Sequence, residues 1–104
     1  MAKNGTSAMG DYQLSGKADQ DLDEIYEYSI KQFGEHVADE YFLSLRDCLL
    51  KLADSPKLGK DCSGIVPGYF RFECGRHSIF YKVQKKGIFV IRVLHQRMNP
   101  DRHM

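Results

Sequence analysis

Six side chains in the C-terminal half have the types that do chemistry: Arg71, Arg76, His77, Tyr81, His95 and Arg97. A guanidinium grips a phosphate or carboxylate through its fork of N–H donors, and imidazole and phenol groups transfer protons. Such a set holds a phosphate and moves a proton, as a metal-free ribonuclease must. It equally suits an acidic protein segment or a nucleic-acid backbone. All six are target-binding candidates, and none is assigned a catalytic role. Cys62, Cys74, His77 and His95 are soft and imidazole ligands, but C-x2-C and H-x3-H spacings are absent, so no metal or other cofactor is expected. Asp21 and Asp23 fall in the opening turns of a helix, where the dipole and solvation account for them. There is no P-loop, G-x-S-x-G, H-E-x-x-H or glycine-rich phosphate fingerprint.

The elements that must position these groups follow from periodicity. Residues 1–10 are small, polar and aperiodic, and read as a disordered leader, with a single domain over residues 11–104. Tyr12-Gln13-Leu14 alternates as a short first strand. Ser15 stands at an N-cap, and Leu22, Ile25, Tyr26, Ser29 and Phe33 then form one helical stripe that Gly34 ends. Ala38, Tyr41, Phe42, Leu45, Cys48, Leu49 and Leu52 form a second stripe, stopped at Ser55-Pro56. Two amphipathic helices joined this closely lie antiparallel.

Beyond loop chemistry at residues 56–64, the period changes to two. Phe70, Phe72 and Cys74 share one face, with Tyr69, Arg71 and Glu73 on the other. Residues 77–83 form a further strand, Lys85-Lys86-Gly87 a hairpin turn, and residues 88–95 a β-branched run suited to a strand covered on both sides. The order predicts an α+β fold, β-α-α-β-β-β, with an antiparallel helical hairpin packed on a small, mainly antiparallel four-stranded sheet. The sheet face away from the hairpin is expected to carry Tyr69, Arg71 and Tyr81 and to stay partly open.

The chain has 104 residues, 42% hydrophobic and 28% charged, enough for one core without staples. No apolar run approaches a membrane span and no signal peptide is evident, so no membrane contact is expected. Three scattered cysteines, Cys48, Cys62 and Cys74, give no disulfide framework and suit a reducing, cytoplasmic setting. The net charge of +1 conceals opposed halves. Residues 1–55 hold 5 Lys/Arg against 11 Asp/Glu, and residues 56–104 hold 10 against 3. Charge gathered in this way creates a directional field and marks a partner surface.

The residues resemble a known family. Tyr12-x-Leu14-Ser15, Ala18-x-x-Asp21-Leu22-x-x-Ile25-x-x-Tyr28 and Phe33-Gly34 are similar to the opening of the ParE toxins of bacterial toxin–antitoxin modules. Leu52-Ala53-x-Ser55-Pro56-x-Leu58-Gly59, Pro67-Gly68-Tyr69-x-x-Phe72, Gly75-Arg76-His77-x-Ile79-Phe80-Tyr81 and Ile91-Arg92-Val93-Leu94-His95-Gln96-Arg97-Met98 continue it. Tryptophan is common in the family at the place of Phe33 and near Tyr26; this chain has other aromatics there. The resemblance implies a RelE/ParE-like fold and a toxin that inhibits DNA gyrase. It implies a hetero-oligomer with a ParD-like antitoxin that neutralises it, and promoter DNA binding only through that antitoxin. It makes a non-enzymatic inhibitor the first expectation. The alternative is a RelE-like, ribosome-dependent messenger endoribonuclease, with Arg71 or Arg76 on the phosphate and Tyr81 or His77 as acid or base. No tyrosine follows Tyr81, which weighs against that alternative.

Overall fold

A computed structural model describes residues 11–64 and 67–104; the expected leader over residues 1–10 lies outside them. The elements are β1 (Asp11–Leu14), α1 (Gly16–Phe33), α2 (Glu35–Asp54), a 3-10 turn (Pro56–Leu58), β2 (Lys60–Asp61), β3 (Phe70–Cys74), β4 (His77–Gln84), β5 (Gly87–His95) and α3 (Pro100–His103). The sheet order is β1-β5-β4-β3-β2, with β1 parallel to β5 and the other pairs antiparallel. The fold is the expected α+β arrangement, with five strands instead of four. The addition is the two-residue β2, where loop chemistry was anticipated. Lys60 and Asp61 close the edge of β3 by pairing with Arg71 and Phe70.

The hairpin begins as its caps dictate. Ser15 Oγ accepts from the Ala18 N–H at 2.9 Å and donates to the Ile91 carbonyl at 2.7 Å, so one residue starts α1 and ties it to β5. Gly34 alone joins the helices. At φ +89° it favours glycine; its N–H donates the last bond of α1, to the Ile30 carbonyl, and its carbonyl accepts the first of α2, from the Ala38 N–H. Residues 30–37 are all exposed, so the tip of the hairpin stands clear of the sheet and Phe33, though on the stripe by spacing, is 56% exposed.

The other stripes close the core. Ala18 and Leu22 of α1 and Leu45, Leu49 and Leu52 of α2 pack against Ile79, Tyr81, Ile88, Val90 and Val93. Each fully buried aliphatic side chain contributes about 1.5–3 kcal/mol. The extents of 37 × 34 × 21 Å fit one helical layer on one sheet. Gly87, at φ +134°, lies so close to the Asp11 carbonyl of β1 that a Cβ there would overlap it.

Two expectations are corrected here. Tyr81 faces the hairpin and is completely buried, because Tyr81 and Ile79 share the core face while Phe80 takes the opposite one. A bulge between Phe80 and Tyr81 pairs them with Arg92 and Val90 and leaves Ile91 as the extra residue. Its carbonyl is the one that Ser15 meets. Second, Cys48 and Cys74 are joined as a disulfide, with their Cα atoms 6.6 Å apart. The α2 stripe and the β3 alternation each put a cysteine on the buried side, and packing α2 over β3 superposes them.

Candidate functional site

The six candidates separate into three places. Tyr81 belongs to the core: its hydroxyl donates to the Pro56 carbonyl at 2.7 Å and accepts from the Gly59 N–H at 2.9 Å. Its ring stacks on Phe70, and burial holds the phenol above its ordinary pKa, against the lowering effect of the Gly59 bond. It fixes the turn after α2 and offers no group to a partner.

Arg71 lies on the face away from the helices, in a network centred on Glu73. Arg71 Nε donates to Glu73 Oε2 at 2.5 Å, and its guanidinium lies over the Phe80 ring, 5.4 Å from the centroid. Ser78 Oγ and Gln96 Nε2 donate to Glu73 Oε1, each at 2.8 Å. Burial opposes ionisation of Glu73, but the bonds from Ser78, Arg71 and Gln96 outweigh it and keep the carboxyl below its ordinary pKa. Phe80 and Leu94 on this face are each 2% exposed, so it is more closed than expected.

Arg76, His77, His95 and Arg97 do come together, at the end of the sheet where Gly75 and Arg76 turn β3 into β4. Gly75 has φ +60°, as this tight turn requires, and a Cβ there would meet the Tyr41 ring at 2.7 Å. Cross-strand pairing sets His77 opposite His95, and their rings meet edge to face with centroids 5.5 Å apart. The Gln96 N–H donates to the Arg76 carbonyl at 3.0 Å, so the two chain segments carrying Arg76 and Arg97 run side by side.

Tyr41 of α2, read in the sequence only as part of an apolar stripe, organises this cluster. Its hydroxyl lies 2.7 Å from His77 Nδ1 and accepts from the Arg76 N–H at 2.9 Å. Burial raises the phenol pKa against the lowering effect of Arg76, so the hydroxyl keeps its proton, with His77 Nδ1 and, at 3.4 Å, the Cys74 carbonyl beside it. Burial, then the adjacent His95, push His77 down to about 4, with Asp21 opposing. The Arg97 N–H donates to His95 Nδ1 at 3.1 Å. His95 therefore has Nδ1 occupied as an acceptor and keeps Nε2–H as a donor, while His77 has Nδ1 engaged with Tyr41. A tyrosine within a leucine-type stripe was the one available signal for Tyr41, because a buried hydroxyl needs a partner.

Asp21 also departs from its expected solvated role. It is 9% exposed and takes Arg92 Nε and Nη2, both at 2.8 Å, together with the Val93 N–H at 2.9 Å. It thereby serves the edge of β5 that runs beyond the end of β1. The conceivable zinc set is not assembled: Cys74 is bonded to Cys48, and Cys62 Sγ donates to the Tyr69 carbonyl at 3.2 Å. Among the described residues no group of three His, Cys, Asp or Glu side chains is placed to hold a metal, and no helix is long and apolar enough to cross a membrane.

Comparison with known proteins agrees with this architecture. The solved structure titled as the chromosomal ParDE system of Pseudomonas aeruginosa superposes with a TM-score of 0.72 at 23% identity, covering 86% of this chain and 98% of that one, and shows the same fold. Toxin ParE1 of Mycobacterium tuberculosis is 38% identical over 94 residues, 89% of this chain and 96% of the relative. Toxin ParE1 of Caulobacter vibrioides is 36% identical over 96 residues, 92% and 99% of the two chains. The family model for the ParE toxin of the parDE type II toxin–antitoxin system matches residues 12–100. With the match running from β1 into α3, the chain belongs to the ParE toxin family of type II toxin–antitoxin systems.

Proposed function

We propose that the chain inhibits DNA gyrase by binding it, and that a ParD-like antitoxin neutralises it in a cytoplasmic hetero-oligomer that reaches promoter DNA through the antitoxin. Family membership supports a toxin, and the disposition of the six candidates supports a binder. A ribonuclease needs a base, an acid and phosphate donors around one scissile bond. Here Tyr81 is spent on Pro56 and Gly59, Arg71 is spent on Glu73, and neither belongs to the cluster of Arg76, His77, His95 and Arg97. Arg76 and His77 remain together, but without the tyrosine, and with Nδ1 of both His77 and His95 engaged inside the protein; that loss of Tyr81 and Arg71 from the cluster is the observation that carries the reading.

The test adds purified protein to a gyrase supercoiling assay and, in parallel, to ribosomes on messenger RNA. Supercoiling is expected to stop, or cleaved DNA to accumulate, with the message intact. Single changes at His77 and His95 should lower inhibition in graded fashion, and Arg76→Ala and Arg97→Ala more, because arginine is favoured at hot spots. Loss of a true general acid or base instead costs about 10²–10⁴-fold. Message cleavage abolished by His77→Ala, with gyrase unaffected, would install the ribonuclease.

A further inference from the structure

The geometry points to the Arg76–His77–His95–Arg97 cluster as a receptor for the phosphodiester backbone of DNA, through which the chain touches the nucleic acid held by its target. The inference deepens the gyrase reading and depends on it only for the identity of the strand. Arg71 and Arg92 each pair with a carboxylate, Glu73 and Asp21. Arg76 and Arg97 are exposed, and among the described residues neither meets one. The nearby acids are already committed: Glu73 accepts from three side chains, and Asp21 from Arg92 and Val93.

The two imidazoles, paired across the strands, add polar groups to the cluster. Tyr41 and the Arg97 N–H engage their Nδ1 atoms, which leaves the Nε2 atom of each for a ligand and makes that of His95 a donor. Two guanidinium forks and the His95 N–H exceed what one planar carboxylate accepts, since a single arginine fork satisfies it. They suit tetrahedral phosphates carried in succession along a strand, where one charge recurs about every 3.4 Å. Tyr41 is a positioning residue here, because it holds the His77 ring through Nδ1 and the Arg76 backbone through its N–H.

The experiment measures binding of a fluorescent duplex of about 20 base pairs to the full chain by anisotropy over a salt series, without gyrase. It is paired with an NMR titration of the histidine ring protons against inorganic phosphate. Arg76→Ala and Arg97→Ala should each weaken binding about 3- to 10-fold, nearly independently of sequence, and lower the salt slope by about one. Lys85→Ala and Lys86→Ala, equal charge changes at the other end of β4, should leave it nearly unchanged, and phosphate should shift His77 and His95 resonances. Equal losses in the lysine and arginine variants would reduce the effect to net charge and overturn the site, as would unmoved histidines or absent binding at low salt. Preference for an acidic peptide that DNA cannot displace, or for RNA over DNA, would also overturn it. Gyrase inhibition without DNA binding ends this inference and spares the gyrase reading; DNA binding through the cluster with supercoiling intact does the reverse.

Discussion

Tyr81 and His77 show how burial decides what a polar side chain is for. Tyr81→Phe would strip the Pro56 carbonyl and the Gly59 N–H of their partner inside a closed site. It should lower unfolding stability by about 1–3 kcal/mol in urea titration, with inhibition of the target unchanged per folded molecule. Lost inhibition at full stability would return Tyr81 to the binding surface. His77 should tie stability to pH. Its folded value of about 4 lies below the ordinary 6.5, so the unfolded chain binds the proton more tightly. Stability from this group is complete above pH 6.5, declines as pH falls toward 4 and levels off below. Solvent access softens the effect. Tyr41, His95, Arg76 and Asp21 are the titratable or charged groups around it. Urea titrations at pH 7, 5.5 and 4.5 should show a shallower decline in His77→Gln than in the parent chain; identical declines would assign the dependence to other groups.

At the scale of elements, the joint between α1 and β5 concentrates the polar bonds that hold the two layers in register. Ser15 meets the carbonyl of the bulged Ile91, and Asp21 meets Arg92 and the Val93 N–H. Both serve backbone that β1, ending at Leu14 opposite Val90, is too short to pair. Asp21→Ala would leave Arg92, whose side chain is 15% exposed, as a largely covered charge with only the His103 carbonyl as partner. Removing one partner of a fully buried pair costs about 3–5 kcal/mol, and the partial cover of Arg92 places this loss toward or below the lower end. Asp23→Ala, two residues on and exposed, should cost far less. Thermal unfolding of the two variants checks this; equal effects would mean that Asp21 acts only on the helix dipole.

On the scale of the whole molecule, the opposed charge halves become opposed layers. Residues 1–55 supply β1 and the acidic hairpin, and residues 56–104 supply the basic remainder of the sheet and its turns. The proposed antitoxin is expected to dock through an acidic segment that orders on binding, steered toward the basic layer by that field, with apolar contacts setting how long it stays. In stopped-flow measurements, raising salt should slow association much more than it hastens dissociation. A dissociation rate that climbs steeply with salt would show that ion pairs, not apolar anchors, hold the complex.

Local chemistry was enough to write most of the fold into the sequence. Ser15 and Gly34 bound α1, Pro56 follows the end of α2, and strict alternation assigns Phe70, Phe72 and Cys74 to the core face. Each depends only on neighbours in the chain, on a cap, a permitted φ or a period of two. What depends on register between distant segments was not legible. Tyr81 turned inward because β4 pairs with β3 so that Tyr81 and Ile79 lie opposite Phe70 and Phe72, and Cys48 met Cys74 because one helix crosses one strand at one place. Two-residue β2 is set by the open edge of β3, more than by anything in Lys60 and Asp61 themselves. The site divides in the same way. The types of Arg76, His77, His95 and Arg97 announced a basic, proton-bearing surface, but their gathering, and Tyr41 beside them, required two strands and a helix to converge. One-dimensional periodicity carries the face on which a residue lies, whereas its partner on another element is fixed only when the layers close.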